Sequence, residues 1–508
     1  MCGISRGAGA EMSQLVVIVA IEIAILVAVI VLREPKLLIL AVVLGLPFEY
    51  AGEKLIPSLG TSGLSGAVRA LLNPGKAAML ATICVAIFQY RHDPRRLIPN
   101  SRTVVPILAL LAIVVLGVAW SDSLKPNNTV LIMPMYVAFA CVAPLYIQTR
   151  KDVEWLLGAI LLTTIGLSLI AIAQRFAHVF NWRSILVDSD GYSYRSNATF
   201  SDPNIMARYF AMSLSLAGAL ILATGPRRTT LYLAVPAIAL GSVAMLATGS
   251  RSGWATLLLC AAIVLWTTPI QRGTKMKLTI VAVGTVALAT VLVLFQGGGN
   301  ADRIKSLSNP VQALGQRDFL IAAGWHMFLD HRLLGVGSGN YQHSLLLSYR
   351  ADIPSWAEVT LSHTSVISLL AELGVVGFGF FLFVVFRLGG AVIRAYRAAV
   401  MPFDRLVIGW LGASMIGIFF SSQSEGRLLD EPYLYLVLAI FIAIETGQGF
   451  AARTVTTPIA REMEASAASS SSNGVSPNGA TGEGPPPITA APRNRGAEVG
   501  SRPITTAD

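Results

Sequence analysis

Apolar runs about 20 residues long recur along most of this chain, and a run of that length is what a helix needs to cross the hydrocarbon of a bilayer. Composition agrees. Of the 508 residues, 54% are hydrophobic and only 13% charged, against roughly 25% charged in an ordinary soluble domain. The pattern predicts an all-α polytopic membrane protein with about 12–13 spans.

The spans centre on Leu15–Leu32, Lys36–Phe48, Ala77–Tyr90, Val104–Trp120, Val130–Ile147, Val153–Gln174 and Ile205–Ala223. They continue with Leu231–Ala247, Trp254–Thr268, Leu278–Phe295, Thr364–Phe386, Leu406–Phe420 and Tyr433–Ile444. The first is too long and too poorly flanked for a cleaved signal peptide, so it reads as a retained helix.

Alternate loops carry the cations: Arg33/Lys36, Arg91/Arg95/Arg96/Arg102, Arg150/Lys151, Arg227/Arg228, Arg272/Lys275/Lys277 and Arg387/Arg394/Arg397/Arg405. Short loops of the other parity hold one each, Lys125, Arg251 or Arg427. The positive-inside rule places the first set in the cytoplasm. The N-terminus, the Ala177–Pro203 loop, the Thr248–Gly253 turn and the long loop 297–362 then face outward. The net charge of +10 is explained by this asymmetry and by anionic lipid, so no nucleic-acid partner is expected.

Residues 1–450 read as one transmembrane domain. Residues 451–508 read as a disordered cytoplasmic tail, because from about Glu464 onward they are small and polar and cannot bury a core. No internal repeat is evident, which weighs against a transporter built on inverted repeats. The cysteines, Cys2, Cys84, Cys141 and Cys260, are not placed like a disulfide or metal set.

The chemically dense stretch is 316–379. In Thr199-Phe-Ser-Asp-Pro-Asn204, Asp202 suits a helix N-cap and Pro203 the first helical position, and the same helix start could face an anion. Thr248-Gly-Ser-Arg-Ser-Gly253 is an outward turn whose single charge, Arg251, either binds a ligand or snorkels to the interface. Arg317 opens a helix with Leu320, Ala323, Met327 and Phe328 on one face. Spacing leaves it open whether Arg317 is solvated or binds. Gly335-x-Gly-x-Gly339 lacks the βαβ setting of a dinucleotide fingerprint and reads as a turn with N–H groups free for phosphate. His326 and His331 have no third donor at suitable spacing, so no metal is assigned. His363 is placed at the first turn of an outer helix end, where the dipole favours neutral imidazole; a general base and a structural cap both fit. Glu372 reads as a partner within the bundle.

Phe200-Ser-Asp-Pro-Asn204, Gly249-Ser-Arg-Ser-Gly253, Arg317…Trp325…Leu334-Gly-Val-Gly-Ser-Gly-Asn-Tyr341 and Ser362-His363…Leu369-Leu-Ala-Glu-Leu-Gly374 together resemble the O-antigen ligase/polymerase family over about Thr199–Leu388. The resemblance implies a metal-independent, inverting glycosyltransferase of GT-C type, without cofactor, in the cytoplasmic membrane. It implies a glycan donor on polyprenyl (undecaprenyl) diphosphate and an acceptor hydroxyl on lipid, protein or a second lipid-linked repeat, on the outer face, for cell-surface polysaccharide assembly. It implies that Arg251 and Arg317 bind the donor pyrophosphate and that His363 is the base. Asp202 and Asn204 are supporting candidates, and Asp430 in the last outer loop is a candidate for a further acidic position.

Two arginines can stabilise a diphosphate leaving group without a metal, and apolar grooves between spans suit the polyprenyl tail. The competing class is a transporter or permease for a small anion or polysaccharide precursor. A carrier would place ionisable groups near mid-membrane, where Glu22 and Glu372 are the clearest; the dense outer loop favours the enzyme.

Overall fold

The computed structural model describes residues 34–49, 72–121, 128–180, 195–224, 228–268, 273, 317–355 and 362–447. The expected spans at Leu15–Leu32 and Leu278–Phe295, the tail 451–508, Glu22 and most of the loop from Gly52 to Lys76 lie outside these residues.

Every other expected span is a helix. They are α1 (Lys36–Gly45), α2 (Pro74–Gln89), α3 (Val104–Leu116), α4 (Asn128–Val142), α5 (Arg150–Ala177), α6 (Pro203–Thr224), α7 (Arg228–Thr248) and α8 (Arg251–Thr267). Two helices, α9 (Arg317–Asp330) and α10 (Tyr341–Leu347), precede α11 (Ser365–Ala398), α12 (Pro402–Ser422) and α13 (Pro432–Glu445). There is no strand among the described residues. By length and apolarity α5, α6, α11 and α12 suffice to cross a membrane, and seven shorter helices are also apolar. The chain is an all-α polytopic membrane protein.

Local sequence sets the ends. Thr149 and Asp152 form a capping box at the start of α5, which stops at His178 in left-handed conformation. Within α5, Thr163, Thr164 and Ser168 donate to carbonyls one turn back, at 2.8, 2.7 and 2.6 Å, so no polar side chain is stranded among apolar neighbours. Helix α6 is central: it packs on α7, α8 and α12, and nearly all its side chains from Ile205 to Leu220 are buried. Large apolar side chains stay exposed on the outer helices, Trp266 at 82% and Phe386 at 79%, as expected of groups that face lipid tails.

The span expected to end at Phe386 runs on to Ala398, so Arg387, Arg394 and Arg397 belong to the helix rather than to a loop. It is also broken. Gly374 has φ +61° and ψ −165°, outside the helical region. A Cβ there would lie 2.4 Å from the Leu333 carbonyl carbon, so only glycine admits the turn that docks into the break. Helix and turn exchange hydrogen bonds. Val375 and Val376 N–H donate to Arg332 and Leu333 carbonyls, and Val336 and Gly337 N–H donate to Ala371 and Glu372 carbonyls, at 2.8–3.2 Å. The break leaves none of these four donors stranded.

Candidate active site

Four helix starts supply the side chains singled out in the sequence. Asp202 caps α6, its Oδ1 accepting from Asn204 N–H at 2.6 Å. Arg251 is the first residue of α8, after Gly249 (φ +60°) and the N-cap Ser250, whose hydroxyl accepts from Gly253 N–H. Arg317 opens α9, held by the burial of Leu320, Ala323, Gly324 and Met327 on one face. His363 stands two residues before α11, with φ +57°. It therefore lies before the N-cap, Thr364, and not in the first helical turn as expected.

Electrostatics tie these residues into one neighbourhood. His363 is half-buried. Burial first, and then the Arg317 guanidinium, push its pKa below the ordinary 6.5, while Asp202 pulls the other way. Burial and then Arg251 likewise lower the pKa of Arg317, again against Asp202. So Asp202 acts on both Arg317 and His363, Arg317 on His363 and Arg251 on Arg317, although the four come from separate elements. A cation at a helix start is disfavoured by the dipole, so neither Arg251 nor Arg317 serves the helix it opens. Positive helix ends and two guanidinium groups instead form a locus suited to an anion.

Asn204 has a structural partner. Its Oδ1 accepts from Arg195 Nη2 at 2.8 Å, and Arg195 Nε donates to the Thr248 carbonyl at 2.7 Å. The pair fastens the start of α6 to the turn that carries Arg251.

The glycine-rich turn does not offer free N–H groups. Gly335, Gly337 and Gly339 have φ of +70°, +98° and +71°, but each donor from Gly335 to Tyr341 is engaged. Gly335 N–H donates to His331 O, Ser338 to Gly117 O and Asn340 to Gly337 O. Gly339 and Tyr341 N–H donate to the Glu372 carboxylate at 3.0 and 3.2 Å. The acceptor they meet is a side chain of the protein itself, and the expected phosphate role is replaced by a structural one. Trp120 Nε1 closes the same turn by donating to Leu334 O at 3.1 Å. His326 is engaged with Asp352 at 3.0 Å.

The loop between α12 and α13, in which the sequence singles out only Asp430 as a site candidate, backs the site. A Cβ on Gly426 (φ +72°) would come within 3.3 Å of His363 Cα. Ser365 Oγ donates to the Ser422 carbonyl at 3.1 Å, and Val366 N–H to Gln423 Oε1 at 3.3 Å. The loop is anchored by Arg208, a fully buried residue of α6. Arg208 pairs with Glu431 at 2.5 Å and with Glu425, and also donates to the Arg427 carbonyl at 3.3 Å. Glu49 joins the cluster: burial opposes its charge, but Arg427, Lys76 and Ser201 together hold its carboxyl below the ordinary value. Asp430 acts on Arg427 here, whereas the charges acting on His363 are Arg317 and Asp202. The signal for Arg208 was present in the sequence as a charge inside an apolar run.

Comparison with known proteins gives one family. Residues 236–382 match the family model described as O-antigen ligase, and Arg251, Arg317 and His363 all fall inside the match. No curated protein matches the chain.

Proposed function

We propose, from the premise that the chain is an O-antigen ligase/polymerase-type membrane protein over residues 236–382, that it moves a glycan from a polyprenyl diphosphate carrier to an acceptor hydroxyl. Glycan transfer in general follows from the family; the carrier, the acceptor and the face of the membrane are this proposal. The observation that carries it is the chain of electrostatic influence from Arg251 to Arg317 and from Arg317 to His363, with Asp202 acting on the last two.

In this reading Arg251 and Arg317 hold the diphosphate and stabilise the charge that develops on it as the glycosidic bond breaks. His363, kept neutral by burial and by Arg317, accepts the proton of the attacking hydroxyl. Asp202 acts through space on both Arg317 and His363 and steadies them. Direct displacement by the hydroxyl inverts the anomeric centre and needs neither a metal nor a second carboxylate, unlike hydrolysis by paired acids. The alternating cationic loops support a site on the outer face of the cytoplasmic membrane, and the ligase core extends over about Thr199–Leu388.

The test is the glycan profile of a strain lacking the gene. Surface glycans cut to a single repeat indicate a polymerase. Full-length chains retained on the carrier lipid indicate a ligase. An unchanged profile refutes both. Complementation by the His363→Ala chain, if complete, refutes the role of the imidazole.

A further inference from the structure

At the ends of α3, α11, α12 and α13 remote from His363 lies a second, charged cleft of about 600 Å³. The stretch of α11 from Val375 to Ala398 rises about 35 Å at the helical pitch, so cleft and candidate active site are separated by about the thickness of a bilayer. Asn100 and Arg102 line the cleft from the start of α3, Arg394 from the end of α11, Asp404 from the start of α12 and Glu445 from the end of α13.

Its charges are of both signs. Arg102 and Arg394 are exposed and form no ion pair among the described residues. Glu445 accepts from the hydroxyls of Ser101 and Thr103 (2.8 Å from the latter), neither of which neutralises it. Asp404 forms a long ion pair with Arg150 at 4.0 Å, and its Oδ1 has no hydrogen-bond partner.

An apolar cavity of about 380 Å³ adjoins it along the same helices. On α11 Ala391 lines the cleft while Val392 and Ile393 line the cavity; on α12 Ile408 lines one and Gly412, a turn later, the other. Cleft and cavity thus follow one another along α11 and α12, the first lined by charges of both signs and the second by hydrocarbon.

We propose that cleft and cavity together bind an aminophospholipid of the phosphatidylethanolamine class. Arg102 and Arg394 take its phosphate, Asp404 and Glu445 take its ammonium, and one acyl chain enters between α11 and α12. The assignment rests on charge complementarity. A headgroup with phosphate alone satisfies the arginines but sets its charge against two carboxylates, and a free phosphate leaves the apolar part unused. The site is independent of the chemistry at His363.

The full chain, purified in detergent and stripped of lipid, is titrated with phosphatidylethanolamine and, separately, with phosphatidylglycerol, and adducts are followed by native mass spectrometry. Phosphatidylethanolamine should be retained about tenfold more tightly than phosphatidylglycerol, and R102A/R394A should weaken it by about tenfold or more, the loss of charge-assisted contacts. D404N, which keeps both arginines, should erase most of the preference between the lipids. The proposal is overturned if R102A/R394A retains phosphatidylethanolamine as the unaltered chain does. It is equally overturned if phosphatidylglycerol binds as tightly from the outset, or if D404N leaves the preference intact. D404N also serves as the decisive variant should the double substitution fail to fold.

Discussion

Arg208, buried in α6, donates from Nη1 to Oε2 of Glu431, the N-cap of α13, across 2.5 Å. Residues more than two hundred positions apart thereby fix the loop on which His363 rests. Removing one member of a buried ion pair strands the others, at a cost of about 3–5 kcal/mol. Arg208→Met should therefore lower the thermal unfolding midpoint sharply in detergent. Arg208→Met combined with Glu425→Gln and Glu431→Gln should recover much of the loss. A single substitution with no effect on the midpoint would mean that the network contributes little.

The acid limb of activity should track His363. A base must be unprotonated, and burial and Arg317 place its pKa below 6.5, so kcat/KM should fall only as pH drops below that value. Removing the cation with Arg317→Gln should move the limb toward higher pH. Removing the opposing charge with Asp202→Asn should move it lower still. Shifts with the reverse signs would separate His363 from the titration.

Guanidinium geometry, rather than charge alone, should matter for donor engagement. Arg251→Ala should weaken competition by added inorganic pyrophosphate by about tenfold or more, the scale of a lost charge-assisted contact. Arg251→Lys should recover only part of this, because an ammonium cannot form the planar two-point contact. Full recovery by lysine would argue for a diffuse electrostatic role. An exposed arginine serving only the interface would leave the inhibition unchanged in every variant.

Glu372 should behave as part of the frame. Glu372→Ala leaves the N–H groups of Gly339 and Tyr341 without their acceptor, at about 1–3 kcal/mol, and should open the 331–341 turn to limited proteolysis. Glu372→Gln keeps one acceptor oxygen and should be milder. If both variants kept their frame but abolished transfer, the carboxylate would have to be moved into the chemistry.

The helices were readable because hydrophobic length is a local property: every expected span that falls on described residues is helical, to within a few positions except at the end of α11. The break at Gly374 was not readable, since an isolated glycine in an apolar run signals nothing until the Leu333 carbonyl is seen against it. Arg251, Arg317 and His363 were visible as ionisable residues out of keeping with their surroundings. Of their backing only Arg208 was, as a charge inside an apolar run. Glu49, Arg208, Glu425 and Arg427 come from distant segments, and no spacing rule links a carboxylate near the start of the chain to a guanidinium near its end. The glycine-rich turn misled for a related reason: its spacing resembles a phosphate cradle, but an internal carboxylate from α11 already fills that role.

The interruption at Gly374 divides α11 into two levers. The longer arm, from Val375 onward, rides in the bilayer and must tilt whenever membrane thickness changes. The shorter arm, bearing Ser365 and adjoining His363, belongs to a helix packed by α9 and α10. At the joint between the arms, four exchanged backbone contacts hold the 332–337 turn in the break. His363 therefore stands on the far side of a joint from the long arm, which can change its tilt without carrying the imidazole along as one rigid rod would.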